Sequence, residues 1–156
     1  RNVFLICLTL TALFTALFFV VDSTNISTIF IINCLKSLAY APTIPLLWAM
    51  MGDVADHSEW VNHRRATGFV FAGVVFALKA GLGIGGAICG AIVDSFGFVS
   101  NTVQTESAIF GIRLTSSVIP AITFFVGVIA LFFYPISKKL NEHIQDDLAK
   151  RRLENN

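Results

Sequence analysis

Charge is what this sequence has least of. Asp, Glu, Lys and Arg make up 13% of its 156 residues, against about 25% in an ordinary soluble domain. The net charge is +1. With no dense basic face before the C-terminus, nothing marks nucleic acid as a partner. Cysteine is equally sparse. Cys7, Cys34 and Cys89 lie in apolar stretches without metal-ligand spacing, so they read as small buried apolar residues. His57, His63 and His143 all fall outside the apolar stretches. No P-loop, no GxGxxG and no Ser/His/Asp grouping is present, so no enzyme activity is expected.

What is abundant is hydrocarbon. Hydrophobic residues are 55% of the chain, and 15 of them are Phe. Four stretches reach the roughly 20 apolar residues needed to cross a bilayer: residues 3–21, 26–51, 68–93 and 109–134. They are too long for strands and lack period-two alternation. Residues 3–21 also exceed the roughly 7–15 residues of a signal-peptide core, and no small-residue cleavage site follows. The expected fold is therefore all-α integral membrane. It has a four-helix segment over residues 1–134 and a polar tail over 135–156. Absence of an initiating Met suggests a fragment of a longer protein.

Lysine and arginine placement sets the orientation. Arg1, Arg64, Arg65, Lys138, Lys139, Lys150, Arg151 and Arg152 share one side of an alternating path, and the opposite connections, 22–25 and 94–106, contain none. Arg113 alone lies near that side. Both termini and the charged connection 52–67 are expected to be cytoplasmic, in a plasma or bacterial inner membrane. In the tail, Leu140, Ile144 and Leu148 recur every four residues between charges, the pattern of a short amphipathic helix. Such a helix can be a solvated end, lie on the membrane surface, or dock on a partner loop.

Two lysines break the apolar pattern. Lys79 and Lys36 stand near the middle of their stretches, and no Asp or Glu lies inside any of the four. A central lysine costs about 2.5–3.5 kcal/mol on the most lenient insertion scales, which marks both as candidate substrate-cavity residues. Trp48 reads as an interfacial belt residue or a sugar-stacking platform. Gly81, Gly85, Gly86 and Gly90 form small-xxx-small pairs suited to close helix packing. Pro42, Pro45 and Pro120 are expected to bend their helices. Asp53, Asp56 and Glu59, spaced by three, would share a face if the second span continued as a helix. That spacing fits no EF-hand or zinc motif. A charge network at a gate is the alternative to a solvated loop.

The run from Ala49 to Trp60, followed by Arg65 and Lys79, resembles the glycoside–pentoside–hexuronide:cation symporter family. The pattern is D-x-x-D-x-x-E, then an arginine six residues on and a lysine fourteen beyond that. The resemblance covers most of residues 41–152. It departs at His57-Ser58, where many members carry an aromatic-Gly pair, and at the additional Lys36. It implies a major-facilitator fold of twelve helices, with this chain as helices nine to twelve. It also implies that Lys79 faces the sugar cavity and that Asp53, Asp56, Glu59 and Arg65 belong together near the cytoplasm. The implied partners are a sugar or glycoside, the bilayer and the N-terminal helices of the same protein. No cofactor is expected; the coupling cation, Na+ or H+, would be held mainly by that N-terminal half. The competing expectation is a non-transporting four-helix scaffold.

The topology is directly testable. In a background lacking the native cysteines, a cysteine at Asn25 or Asn101 should react with an impermeant thiol reagent from outside intact cells, and one at Asn62 or Asn141 should not. External labelling at Asn62 would overturn the four-span path.

Overall fold

A computed structural model describes residues 1–22, 25–64 and 66–154. Arg65, expected in the charge network, lies outside the described residues. So do residues 23 and 24 of the first connection and the last two of the tail. The elements are α1 (Asn2–Leu17), α2 (Ile26–Tyr40), α3 (Thr43–Asn62), α4 (Thr67–Ser95), α5 (Glu106–Arg113), a π-helical turn (Leu114–Val118), α6 (Ile119–Phe132) and α7 (Lys138–Glu154). No strand occurs among the described residues. Three helical stretches, Ile26–Asn62, Thr67–Ser95 and Glu106–Phe132, are long and apolar enough to cross a membrane, and α1 is a shorter apolar helix.

Residues 3–21 do not form one helix. α1 stops at Leu17, and tight backbone bonds from Phe18 to Thr15, Phe19 to Ala16 and Val20 to Leu17 close its end. Its threonines return their hydroxyls to the backbone: Thr9 to Leu5 O, Thr11 to Cys7 O and Thr15 to Thr11 O, at 2.8, 2.8 and 2.6 Å. In an apolar surround this satisfies each donor at no tertiary cost.

The second stretch is broken where its prolines require it. α2, capped by the Asn25 side chain on Thr28 N, ends at Tyr40. Pro42 takes the N-cap of α3, and Pro45 falls in the first turn, where a missing N–H costs nothing. Thr43 Oγ1 donates to Tyr40 O at 2.6 Å, pairing a carbonyl at the break. Beyond Met51 the sequence predicts a charged loop over 52–67. Instead α3 runs on to Asn62, where His63 in the left-handed region (φ 53°) ends it. The connection to α4 shrinks to residues 63–66.

The fourth stretch solves Pro120 differently. A proline inside a helix clashes with the carbonyl four residues back. Here the preceding turn, Leu114–Val118, is widened to π geometry, and Pro120 sits at the start of α6. Thr115, Ser116 and Ser117 return their hydroxyls to Gly111 O, Ile112 O and Arg113 O.

α1 forms the centre, packed chiefly on α6 and α2. Phe4, Leu8 and Met50 are its buried core, with Leu46, Leu47, Leu131 and Tyr134 around them. One end is tied by Arg1 Nη1 to Tyr134 O (3.2 Å) and Tyr134 Oη to Met50 O (3.3 Å). At the other, Arg113 Nη2 donates to Phe19 O (2.6 Å) and Val21 O (2.9 Å), its guanidinium 5.8 Å from the Phe19 ring centroid. Arg1, Met50 and Tyr134 thus share one end, and Phe19, Phe96 and Phe110 the other. The cysteines are not buried as the composition suggests: Cys34 is exposed and Cys7 and Cys89 are half-exposed, on outer helix faces.

The glycine that closes a helix contact is Gly111. A Cβ there would stand 2.6 Å from Phe96 Cβ, whereas at Gly52 it would meet nothing within 4 Å. Gly111→Ala should therefore overpack the α4–α5 contact by about 1–3 kcal/mol and lower the melting temperature in detergent. Gly52→Ala should leave it unchanged or raised.

Candidate functional site

The sequence groups Lys79, Lys36 and Trp48 at one cavity. The structure separates them. Lys79 is exposed on α4, a helix of 29 residues with none buried, which touches only α3, α5 and the π turn. Lys79 forms no ion pair with a described residue. Gly81, Gly85, Gly86 and Gly90 line the same helix, and a Cβ at any of them would meet nothing within 4 Å. No described helix packs on them. Trp48 lies on α3 with its ring stacked on Phe71 of α4, centroids 5.9 Å apart and 6° from parallel. One face of the indole is therefore used to hold α4 against α3.

Lys36 occupies a different place, a cavity of about 400 Å³. Thr11 and Thr15 of α1 form one wall and Lys36, Ser37 and Tyr40 of α2 a second. Ser116 of the π turn and Pro120 and Phe124 of α6 form the third, and the space is open on the remaining side. α4 contributes nothing to it. The Lys36 ammonium stands 5.2 Å from the Phe18 ring centroid. A cation–π contact is worth about 0.5–2 kcal/mol, which offsets only part of the cost of a central lysine.

The acidic residues meet the tail. Because α3 continues to Asn62, Asp53, Asp56 and Glu59 share one helix face, and α7 lies along it. Asn141 Nδ2 donates to Asp53 Oδ1 at 2.9 Å. Trp60 Nε1 donates to Asp147 Oδ2 at 3.1 Å, and Arg151 Nη1 to Trp60 O at 3.2 Å. Arg152 Nη2 reaches both Glu59 oxygens, at 3.3 and 3.4 Å. Asp56 borders a depression shared with Gln145, Leu148 and Arg152. The apolar stripe of the tail faces inward: Ile144 is fully buried and Leu148 nearly so.

Magnitudes decide what holds the tail. Arg152 is half-exposed, and exposed ion pairs contribute about 0–1 kcal/mol. Each buried aliphatic side chain contributes about 1.5–3 kcal/mol. The apolar stripe does most of the holding and the polar pairs set the register. The stripe is readable from the sequence; its docking partner is not, because a charged segment after Met51 does not announce itself as helix. Arg113 and the π turn went unpredicted as structural elements. The signal for Arg113 is the one that marks Lys79, a charge inside an apolar stretch.

Ile144→Asp should release α7 from α3 and speed tryptic cleavage at Lys150 and Arg151 at least tenfold. Arg152→Gln should change that rate less than threefold. Equal protection of the Ile144→Asp protein would mean that the buried stripe does not hold the tail.

Residues 1–138 match the family described as MFS/sugar transport protein. Among curated proteins, the chain is 34% identical over 142 residues to a putative glycoside/cation symporter, YagG, of Escherichia coli (strain K12), covering 90% of this chain and 31% of that protein. It is 34% identical over 144 residues to the inner membrane symporter YicJ of the same organism, covering 88% and 30%. With the isoprimeverose transporter of Lactiplantibacillus pentosus it shares 34% over 111 residues, covering 71% and 23%. The chain spans about a third or less of the length of these relatives. No solved structure matches it. The broken, proline-bearing membrane helices, the D-x-x-D-x-x-E face and the match over residues 1–138 lead to one assignment: this chain is a multi-pass membrane protein of the MFS/sugar transport protein family.

Proposed function

We propose that this chain forms part of a secondary transporter that carries a sugar or glycoside together with a cation by alternating access. The observation that carries this reading is the family match combined with the state of α4. That helix is apolar, 29 residues long, and has no buried residue. It presents Lys79 and a glycine-rich surface that no described residue covers. A charge on an uncovered apolar helix is costly in lipid and useful beside a polar solute. Lys79 accordingly lines the substrate path, and helices beyond this chain close the other side of it, with the substrate between two bundles that rock about it. The printed names of the relatives, a glycoside/cation symporter and an isoprimeverose transporter among them, support a sugar or glycoside as the solute. The coupling cation is Na+ or H+, held mainly by residues outside this chain.

Both chain ends and the α3–α7 pair belong on the cytoplasmic side. The Lys/Arg bias supports this side for them, and Arg1, Met50 and Tyr134 share one end of the helices. Asp53, Asp56 and Glu59, with Arg65 close by in sequence, then form the gate network on that side. α7 fixes the helix that carries the three acids.

Lys79→Ala tests this reading in the full-length protein. Membrane insertion should be intact or improved, since a costly charge is removed from the span. Sugar-dependent uptake should fall at least tenfold. Normal uptake by a well-expressed Lys79→Ala protein would make the lysine structural and remove the residue-level support for a substrate path along α4.

A further inference from the structure

Lys36 has no part in the transport reading above. It stands on α2, ten residues from Ile26, so roughly 15 Å of helix separate it from that end of the stretch. No described carboxylate pairs with it, and its contact with Phe18 leaves the charge uncompensated. It borders a cavity that α4 does not reach.

The lining of that cavity is specific. Its volume of about 400 Å³ is many times the roughly 30 Å³ share of one water. The Thr11, Thr15 and Ser116 hydroxyls donate to carbonyls of their own helices. The hydroxyls of Ser37 and Tyr40, one residue and one helical turn from Lys36, are donors bonded to no described residue. Three donor side chains on one helix therefore border one space, and only one of them is charged. The Tyr40 and Phe124 rings, centroids 6.1 Å apart, give the same space an apolar wall.

We propose that the cavity between α1, α2 and the π turn binds a singly charged oxyanion, at a site separate from the Lys79 face of α4. One ammonium neutralises one negative charge; a dianion would leave a net charge in an apolar surround. Two hydroxyl donors complete the coordination of a carboxylate, sulfonate or phosphodiester. Two sources supply this chemistry: a soluble sugar acid, whose ring body packs on the aromatic wall, and the phosphodiester of an anionic lipid.

The test reads binding, so a protein that fails to transport still gives a result. Full-length protein in phosphatidylcholine nanodiscs is titrated with labelled glucuronate and, separately, glucose. In a second arm its melting temperature is compared with and without added phosphatidylglycerol. If the source is soluble, glucuronate binds at least tenfold tighter than glucose. Lys36→Gln and Lys36→Met then weaken it at least tenfold, while Lys36→Arg and the surface control Lys139→Gln do not. If the source is lipid, glucuronate does not bind. Phosphatidylglycerol then raises the melting temperature of the wild type and of Lys36→Arg, but not of the two neutral variants. Removing a membrane charge favours insertion, and the two neutral variants guard against a misfolded one. The proposal is overturned if the neutral variants match the wild type in both arms.

Discussion

A backbone in hydrocarbon must satisfy its own polar groups, and the arrangement of this chain depends on that requirement. Water is not there to pair a stranded carbonyl or hydroxyl, and each lapse costs several kcal/mol. The chain answers locally. Six hydroxyls on α1 and at the π turn return to carbonyls of their own helix. Pro42 is moved to a helix start, and Thr43 supplies a donor beside the gap. Pro120 is admitted by widening the turn before it. These solutions set the shape of the cavity: the break after Tyr40 and the π turn face each other across α1, and the space between them is the Lys36 cavity.

Polar groups that cannot be satisfied locally are used to fasten the ends. Arg113 binds two carbonyls released where α1 terminates, which joins the first and fourth stretches at one end. Arg1 and Tyr134 do the same at the other. Between these fastenings the contacts are apolar and small, with Gly127 letting α6 approach Leu8: a Cβ there would lie 3.3 Å from Leu8 Cδ2. Between lipid-exposed helices, close packing of small residues takes over the role that hydrophobic burial has in water.

The class of fold was legible because it follows from amounts: 55% hydrophobic, 13% charged, and runs long enough to span. The clustering of arginine and lysine on one side agrees with Arg1, Met50 and Tyr134 sharing one end. What escaped reading was local geometry. A proline in an apolar run tells that a helix is disturbed; it does not tell whether the answer is a break, as at Pro42, or a widened turn, as before Pro120. The segment after Met51 looked like a loop because polarity rose there. Polarity marks the end of lipid rather than the end of helix, and α3 continues because α7 covers it. The glycines illustrate a related point. Gly81, Gly85, Gly86 and Gly90 have the spacing of a packing motif and face no described residue, while Gly111, with no motif, sits against Phe96. Spacing along one helix cannot name the partner on another.

The two central lysines look alike in sequence and differ in surroundings. Lys36 is half-buried in an open cleft bordered by three elements of this chain, with an aromatic ring beside its charge and hydroxyl donors on its own helix. Lys79 is exposed on a helix held, among the described residues, along one edge, by Trp48 on Phe71 and by Phe96 on Gly111 and Phe110. A half-buried charge beside apolar surface gains from a counter-charge close by, because less water reaches it. A charge on an edge-held helix demands only that its surface not remain in lipid, and it tolerates a partner that comes and goes. The proposed transport cycle needs the second condition at a substrate and a support behind it. The packing of α1 on α6 and α2 is the dense part of this chain, and the sparse contacts of α4 leave the Lys79 face uncovered by described residues.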